Sequence, residues 1–304
     1  MKATPFVTIS LGEVLWDVFP DGKTLGGAPS NVARHLSQFG CEAYIISAVG
    51  NDMLGREAIT LLETMGLRTD HIAVTGLAPT GTVDAIVDEA GNATYVIHEN
   101  VAWDCLSITP GTLSLASLTQ AANFGSLGLR TETARDASFA ILDALPEDAL
   151  RMFDVNLRKP FINPEILRAG FERATVVKMN DDELLMIAEM FGLSSRAEKA
   201  VEDLLAMWPD VRHLLVTRGS EGAWWHNRRV LMKGSPPAIP AVADTIGAGD
   251  AFTASVMYGL LAGFGEEITL HAALAIAAYV CSRRGGMPEL PADLKGLLSP
   301  GGTR

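Results

Sequence analysis

Asp244-Thr245-Ile246-Gly247-Ala248-Gly249-Asp250-Ala251-Phe252 stands near the C-terminal end of the chain, directly before an apolar segment with helical spacing (Phe252, Val256, Leu260, Leu261). Small residues that open into a helix leave several backbone N–H groups unpaired and pointing outward. Glycine lets another group approach that backbone closely, and the helix dipole favours negative charge there. Such a turn can hold an anion, most naturally a phosphate in transfer. Asp250 falls in the first helical turn, where its carboxylate faces the same space. A carboxylate so placed can take a proton from a hydroxyl that attacks phosphorus. Locally the same residues also read as a plain helix start, with Asp250 complementing the dipole and the glycines making a turn.

Composition narrows the class. The chain has 304 residues, of which 48% are hydrophobic and 20% charged, enough for one large α/β domain with a well-buried core. A formal net charge of −12, without any extended basic cluster, speaks against nucleic acid or an anionic membrane as partner. Cys41, Cys105 and Cys281 are scattered and lack metal-ligand spacing, which fits a reduced, cytoplasmic setting. The N-terminal segment lacks the apolar core of a signal peptide, and the longest apolar run, Leu270 to Cys281, is too short to span a bilayer.

Strand and helix signals alternate. Strands are predicted for Phe6 to Leu11, Ala43 to Ala48 and Ile72 to Thr75; helices are predicted from Pro29 to Phe39, stopped by Gly40, and from Asp52 to Met65, closed by Gly66. Further on, Ala121 to Gly125, Met152 to Val155, Thr175 to Met179 and His213 to Thr217 read as strands, with a helix at Thr131 to Leu145 and two helices before the last of these strands. This pace predicts a doubly wound, mostly parallel sheet flanked by helices. The rhythm breaks at residues 82–88 and 93–98, a β-hairpin around Glu89-Ala90-Gly91-Asn92. Together with residues 14–25 it is expected to form a small β-sheet lid (14–25 and 80–103) inserted in a single domain spanning 1–304. Two such lids covering each other would make a homodimer. Polar and glycine residues repeatedly follow strands, where open α/β sheets bind ligands. Neither Gly-x-x-x-x-Gly-Lys-Ser/Thr nor Gly-x-Gly-x-x-Gly occurs.

The full spelling Asp-Thr-x-Gly-Ala-Gly-Asp-Ala-Phe resembles the C-terminal signature of the ribokinase-like sugar kinases, the phosphofructokinase-B type. Gly26-Gly27-x-x-x-Asn31 resembles that family's first signature, and the resemblance runs from Gly12 to about Pro291 with four motifs in the family's order. The resemblance implies ATP and Mg²⁺ as cofactors, Asp250 as base and Gly247-Ala248-Gly249 as anion hole. It implies that Asp17, Gly26, Gly27 and Asn31 hold the sugar; the amide of Asn31 can both donate to and accept from hydroxyls. Asp154-x-Asn156-x-Arg158 puts three polar side chains on one face of an extended segment, with Arg158 serving either the phosphate or the substrate. Asn180-Asp181-Asp182-Glu183 reads both as a capping box and as the family's Asn-x-x-Glu motif, in which Glu183 organises water around Mg²⁺. Lys178 is either a phosphate partner or the strand's last exposed residue. Thr217, Gly219 and Gly222 match the nucleotide loop, and Ala273 lies in a stretch like the family's adenine wall or, equally, in a tightly packed core helix. Asp244 and Ile246 line a monovalent-cation site in relatives, so K⁺ enters the expectation.

Within the family, Gly12-Glu13-Val14-Leu15-Trp16-Asp17, Ala102-Trp103-Asp104 and Asp154-Val155-Asn156-Leu157-Arg158 most resemble fructokinases. From Thr69 to Leu129 there is no Lys or Arg, while Asp84, Asp88, Glu89, Glu99 and Asp104 are acidic. A neutral sugar needs no cation there, whereas a carboxylated or phosphorylated one does. Arg158 and Lys23 keep 2-keto-3-deoxygluconate in view, Trp16, Phe19 and Trp103 keep a nucleoside or ribose in view, and a non-catalytic sugar or nucleotide sensor on the same fold is the reading of another class.

Overall fold

The computed structural model describes residues 4–87 and 93–299. The expected turn Glu89-Ala90-Gly91-Asn92, the acidic residues Asp88 and Glu89 and the tail from Pro300 lie outside the described residues. The chain runs β1 (Val7–Leu11), β2 (Leu15–Phe19), β3 (Gly22–Gly26), α1 (Ala28–Gln38), β4 (Glu42–Gly50), α2 (Met53–Thr64), β5 (Ile72–Thr75), β6 (Gly81–Val87) and β7 (Ala93–Ile97). Then follow α3 (Pro110–Ala116), β8 (Ala121–Gly125), α4 (Glu132–Asp143), β9 (Leu150–Asp154), α5 (Pro164–Arg173), β10 (Val176–Asn180), α6 (Asp181–Met190), α7 (Ala197–Met207) and β11 (His213–Thr217). β12 (Ala223–His226), β13 (Leu231–Gly234), α8 (Ala248–Leu261), α9 (Glu266–Cys281) and α10 (Ala292–Gly296) complete it.

Nine strands form one sheet in the order β13-β12-β11-β10-β9-β8-β1-β4-β5. From β11 through β5 all pairings are parallel, and β12 and β13 add an antiparallel edge. The doubly wound sheet expected from the strand–helix alternation is therefore present, with an edge hairpin that the sequence reading passed over. A second sheet has the order β3-β2-β6-β7, with β2 and β6 parallel. No helix among the described residues is long and apolar enough to cross a membrane.

Side chains alternate across a strand, and both faces of the large sheet are buried. On one face Phe153, Val177 and Leu214 join a core with Phe124, Phe171 and Trp208; on the other Met152, Val176 and Leu215 pack with Trp225 and Phe252. The same alternation sends Asp154 and Lys178 to the second face, beneath α8. In the register of β9 and β10 they are direct partners. α8 is apolar nearly all round, as a helix packed on several sides must be: it is seated against α1 and α9, and a Cβ at Gly259 would lie 2.3 Å from Thr269 Cγ2.

Asp52 joins the two sheets. Its Oδ1 accepts from Gly55 N at 2.8 Å, capping α2, and from Thr80 Oγ1 at 2.7 Å, while Oδ2 accepts from Thr80 N at 2.8 Å, one residue before β6. Asp52→Ala removes a cap and strands the Thr80 donors, so it should cost about 1–3 kcal/mol in urea or thermal unfolding; an unchanged midpoint would show that the strap carries no stability.

Candidate active site

The loop before α8 is fastened at several points. Gly247, the residue preceding α8, has φ +77°, and a Cβ there would lie 2.3 Å from Gly286 Cα. Asp244 Oδ1 accepts from Ile246 N at 3.0 Å and Oδ2 from Gly285 N at 3.1 Å, while Ala243 N donates to Cys281 O at 2.8 Å. Asp244 thus spends both oxygens on loop amides, at Ile246 and Gly285. No side chain caps α8; Ala248 N reaches Thr245 O at 3.4 Å, and the amides of Gly249 and Asp250 in its first turn are left available to an anion. Ala248 and Gly249 form that turn, and a Cβ at Gly249 would lie 2.9 Å from Lys178 Nζ.

Lys178 is buried, not the exposed strand end that was the alternative. Its Nζ donates to Asp154 Oδ1 at 3.0 Å and Oδ2 at 3.1 Å, and Thr253 Oγ1 of α8 donates to Asp154 Oδ2 at 2.8 Å. Burial lowers the affinity of Lys178 for its proton, but Asp154, Glu183 and Asp250 outweigh it and hold the ammonium above its ordinary range. The capping box is real: Asn180 Oδ1 accepts from Glu183 N at 2.8 Å and Glu183 Oε2 accepts from Asn180 N at 2.7 Å. Glu183 Oε1 also accepts from Leu157 N at 2.7 Å. Both carboxylate oxygens are thus engaged by backbone N–H groups. Among the described residues no three His, Cys, Asp or Glu side chains gather as a metal site.

Three carboxylates near this loop are raised by burial. Asp17 lies over Gly26, where a Cβ would sit 2.3 Å from Asp17 Oδ2, and Gly27, at φ +102°, leaves no room for a Cβ beside Glu13 O. Burial pushes Asp17 up to about 6 against the pull of Arg158. Asp250 is likewise raised to about 6 by burial and by Asp154, against Asn31, Lys178 and Arg158. Glu13, buried behind them, is raised to about 7 by burial. Its Oε1 accepts from Ala28 N at 3.3 Å, at the start of α1. Asn31, on α1, donates from Nδ2 to Asp250 Oδ2 at 2.6 Å.

A carboxylate in the first turn of an uncapped helix and near a buried ammonium, with a second carboxylate held over a Gly-Gly turn, suits the movement of a phosphoryl group onto a hydroxyl. The family model for "pfkB family carbohydrate kinase" matches residues 5–293. The chain belongs to that family. It is a sugar kinase, a phosphotransferase with a hydroxyl acceptor. Fructokinase-2 of Oryza sativa subsp. japonica is 29% identical over 95% of this chain and 92% of its own; the fructokinase of Salmonella typhimurium is 28% identical over 92% and 95%. Among solved structures, fructokinase with bound ATP from Xylella fastidiosa superposes with a TM-score of 0.85 at 23% identity, covering 96% of this chain and 98% of that one. Fructokinase of Vibrio cholerae O395 in its fructose, ADP and calcium ion bound form gives 0.80 at 25%, covering 97% and 99%.

The structure of this sugar kinase corrects several expectations. Asn156 has φ +42°, so Asp154, Asn156 and Arg158 do not share one face of an extended segment. Asp154 is buried in the ion pair, whereas Arg158 is exposed and donates to Leu157 O at 3.1 Å. Ala273 is completely buried in the core with Leu270 and Leu274, which leaves it no surface for an adenine. Thr217 ends β11 beside Asn180, and Gly219 (φ +52°) and Gly222 (φ +96°) make the turn into β12; a Cβ at Gly222 would meet Gly234 O. Glu13, Thr253 and Gly286 were not singled out in the sequence. The one signal for Glu13 was a carboxylate directly after an apolar strand and Gly12.

The raised carboxylates carry a stability consequence. A carboxyl whose folded pKa exceeds its unfolded value stabilises the fold when protonated, and that contribution is lost as pH rises through the folded value. For Glu13 the window runs from about 4.5 to about 7. Glu13→Gln keeps an acceptor for Ala28 N without the charge, so it should match the parent near pH 4 and exceed it near pH 8, by roughly 3 kcal/mol. Equal melting differences at both pH values would refute this.

Proposed function

We propose that the chain transfers the γ-phosphate of ATP to a hydroxyl of a neutral sugar, with fructose the first choice, and that Asp250 is the general base. The observation that carries the reading is the placement of Asp250 in the first turn of α8, with Lys178 Nζ beneath the adjoining Gly249. In this reading the amides of Gly247, Ala248 and Gly249 receive the transferred phosphate and Lys178 offsets its charge. Asp17 and the Gly26-Gly27 turn hold the sugar, Arg158 serves the reacting centre, and Asn180, Thr217, Gly219 and Gly222 border the nucleotide. Mg²⁺, met through water by Glu183, supplies further neutralisation of phosphate charge. Proton transfer to Asp250 comes late, once the new bond has acidified the sugar oxygen, because a carboxylate is a weak base for an alcohol. ATP use is supported by relatives described with bound ATP or ADP.

The choice of a neutral sugar rests on charge. Lys23 is paired with Glu57 and lies over Trp16, and Arg130 is paired with Asp104, so the cations near the second sheet are committed. Arg158 faces Glu13, Asp17 and Asp250 together. Among the described residues, an anionic sugar would meet three carboxylates for one cation not paired with a carboxylate, Arg158. The fructokinases at 27–29% identity point the same way. A cytoplasmic location belongs to this reading, since ATP is at hand there and Cys41, Cys105 and Cys281 are free thiols.

Asp250→Asn should lower kcat by about 10²–10⁴-fold with ATP binding kept; near-normal kcat would remove Asp250 as base. In the parent, kcat should fall as pH drops through about 6, because the base must be ionised. An ATP-consumption panel of fructose, 2-keto-3-deoxygluconate, ribose, adenosine and fructose 6-phosphate should favour fructose; turnover of acidic sugars alone would reject the charge argument, and sugar binding without turnover would identify a sensor. The second sheet acts as a lid in this reading, and its edge strand β7 exposes Val96. A homodimer through the two lids should appear in light scattering at micromolar concentration; a monomer would reject it.

A further inference from the structure

We propose that Arg130 is a positioning residue for Arg158: its guanidinium, fixed at the foot of the second sheet, is the platform on which Phe161 rests, and Phe161 closes the turn that carries Arg158. This rests on the reading of Arg158 as serving the reacting centre.

Arg158 does little to hold itself in place. Arg158, Lys159 and Pro160 are all exposed, and the Arg158 side chain donates only to the carbonyl of its own neighbour, Leu157 O, at 3.1 Å. Before the turn the chain is anchored through its backbone. Val155 N donates to Lys178 O at 2.9 Å, and Leu157 N donates to Glu183 Oε1 at 2.7 Å. After Arg158 the anchor is Phe161. Its N donates to Arg158 O at 2.8 Å, and its half-buried ring packs with Val101, Trp103 and Leu127. The place of Arg158 is thus set by a strand end on one side and an aromatic ring on the other.

That ring rests on a cation. Arg130 Cζ lies 4.5 Å from the centre of the Phe161 ring and 3.9 Å from that of Trp103. The guanidinium is held against sliding: Nε donates to Asp104 Oδ1 at 2.8 Å, and Nη2 donates at 2.7 Å to both Asp104 Oδ2 and His98 O. The Arg130 and Asp104 side chains are only 4% and 6% exposed, so little water competes for the pair. Nη1 is fully buried and has no hydrogen-bond partner among the described residues. Ring faces are what remain to it, and they attract a cation most where water is excluded. The support beneath is equally fixed. Val101 N donates to Asp104 Oδ2 at 3.2 Å and Thr131 Oγ1 to Asp104 O at 2.9 Å, while a Cβ at Gly81 would lie 2.6 Å from Trp103 Nε1. The stretch after β7, the residue before the cap of α4 and the turn after β9 therefore meet at one side chain. Lysine would keep the charge there but neither the flat face nor the fork.

The test is steady-state kinetics with ATP and the sugar turned over in the panel above. The variants are Arg130→Lys, Phe161→Leu and Phe161→Tyr, each alone and combined with Arg158→Ala, with folding checked by near-ultraviolet circular dichroism. Arg130→Lys and Phe161→Leu should lower sugar kcat/KM about 10- to 100-fold, while Phe161→Tyr, which keeps a ring face for the cation, should stay within about threefold of the parent. In the Arg158→Ala background the first two should cost less than about threefold more, because their effect passes through Arg158. Equal losses with and without Arg158 would overturn the proposal and leave Arg130 a fastening of the second sheet. Parent-like activity in Phe161→Leu would overturn it too, since the ring would then be apolar filling. Should Arg130→Lys fail to fold, the Phe161 variants decide by the same cycle. Near-normal kcat and sugar KM in Arg158→Ala would defeat the reading of Arg158 itself, whereas an impaired Arg158→Ala with additive losses would defeat this proposal alone.

Discussion

The buried pair of Asp154 and Lys178 is the constraint on which the site depends. Two charges withdrawn from water destabilise a fold by several kcal/mol each unless they are paired and fully hydrogen-bonded. Here the pairing is complete: both carboxylate oxygens receive Lys178, and Thr253 satisfies Asp154 Oδ2 again. Because the donors come from β10 and from α8, the arrangement holds only when α8 is seated at one height over the sheet. That height places Gly249 over Lys178 and turns Asp250 toward α1. The electrostatics of the anion site are thus a by-product of how the helix is anchored.

The second sheet is anchored by similar means at its base. Arg130 forms a two-point pair with Asp104, donates to His98 O at 2.7 Å, and lies between the rings of Trp103 and Phe161 at 3.9 and 4.5 Å. Guanidinium suits this position because it is planar, stays charged and stacks on aromatic faces while its N–H groups fork toward a carboxylate. Asp52 ties the same end through Thr80, since β6 and β7 are antiparallel and His98 N donates to Thr82 O at 3.3 Å. Both fastenings therefore lie at the open end of the β6–β7 hairpin, from which the two strands extend.

Legibility in the sequence followed distance along the chain. The Asn180–Glu183 box, the Asp52 cap and the Gly40 and Gly66 stops lie within a few residues of their partners, and all were readable. The starts of α3 and α5, at Thr109-Pro110 and Asn163-Pro164, carried the same kind of signal and were passed over, as was the hairpin from Ala223 to Gly234. Lys178 could be read as exposed because its partner is 24 residues away and adjacent only through strand register. Ala273 was left open for a related reason, since a small residue that makes room for a ligand and one that makes room for a neighbouring strand look alike until packing is known.

By itself the sequence determined the alternating architecture, the glycine turn at Gly247-Ala248-Gly249 that opens α8 and the place of Asp250 in its first turn, because helix caps, glycine turns and side-chain periodicity are local physics. Only the tertiary structure decided what faces what. Asn31 and Asp250 stand 219 positions apart, and their bond exists because a single backbone segment at Gly285 and Gly286 is pressed between α1 and α8. Burial is likewise a property of the assembled layers. Three ordinary carboxyls, Glu13, Asp17 and Asp250, become weak acids where the fold brings them together and removes their water.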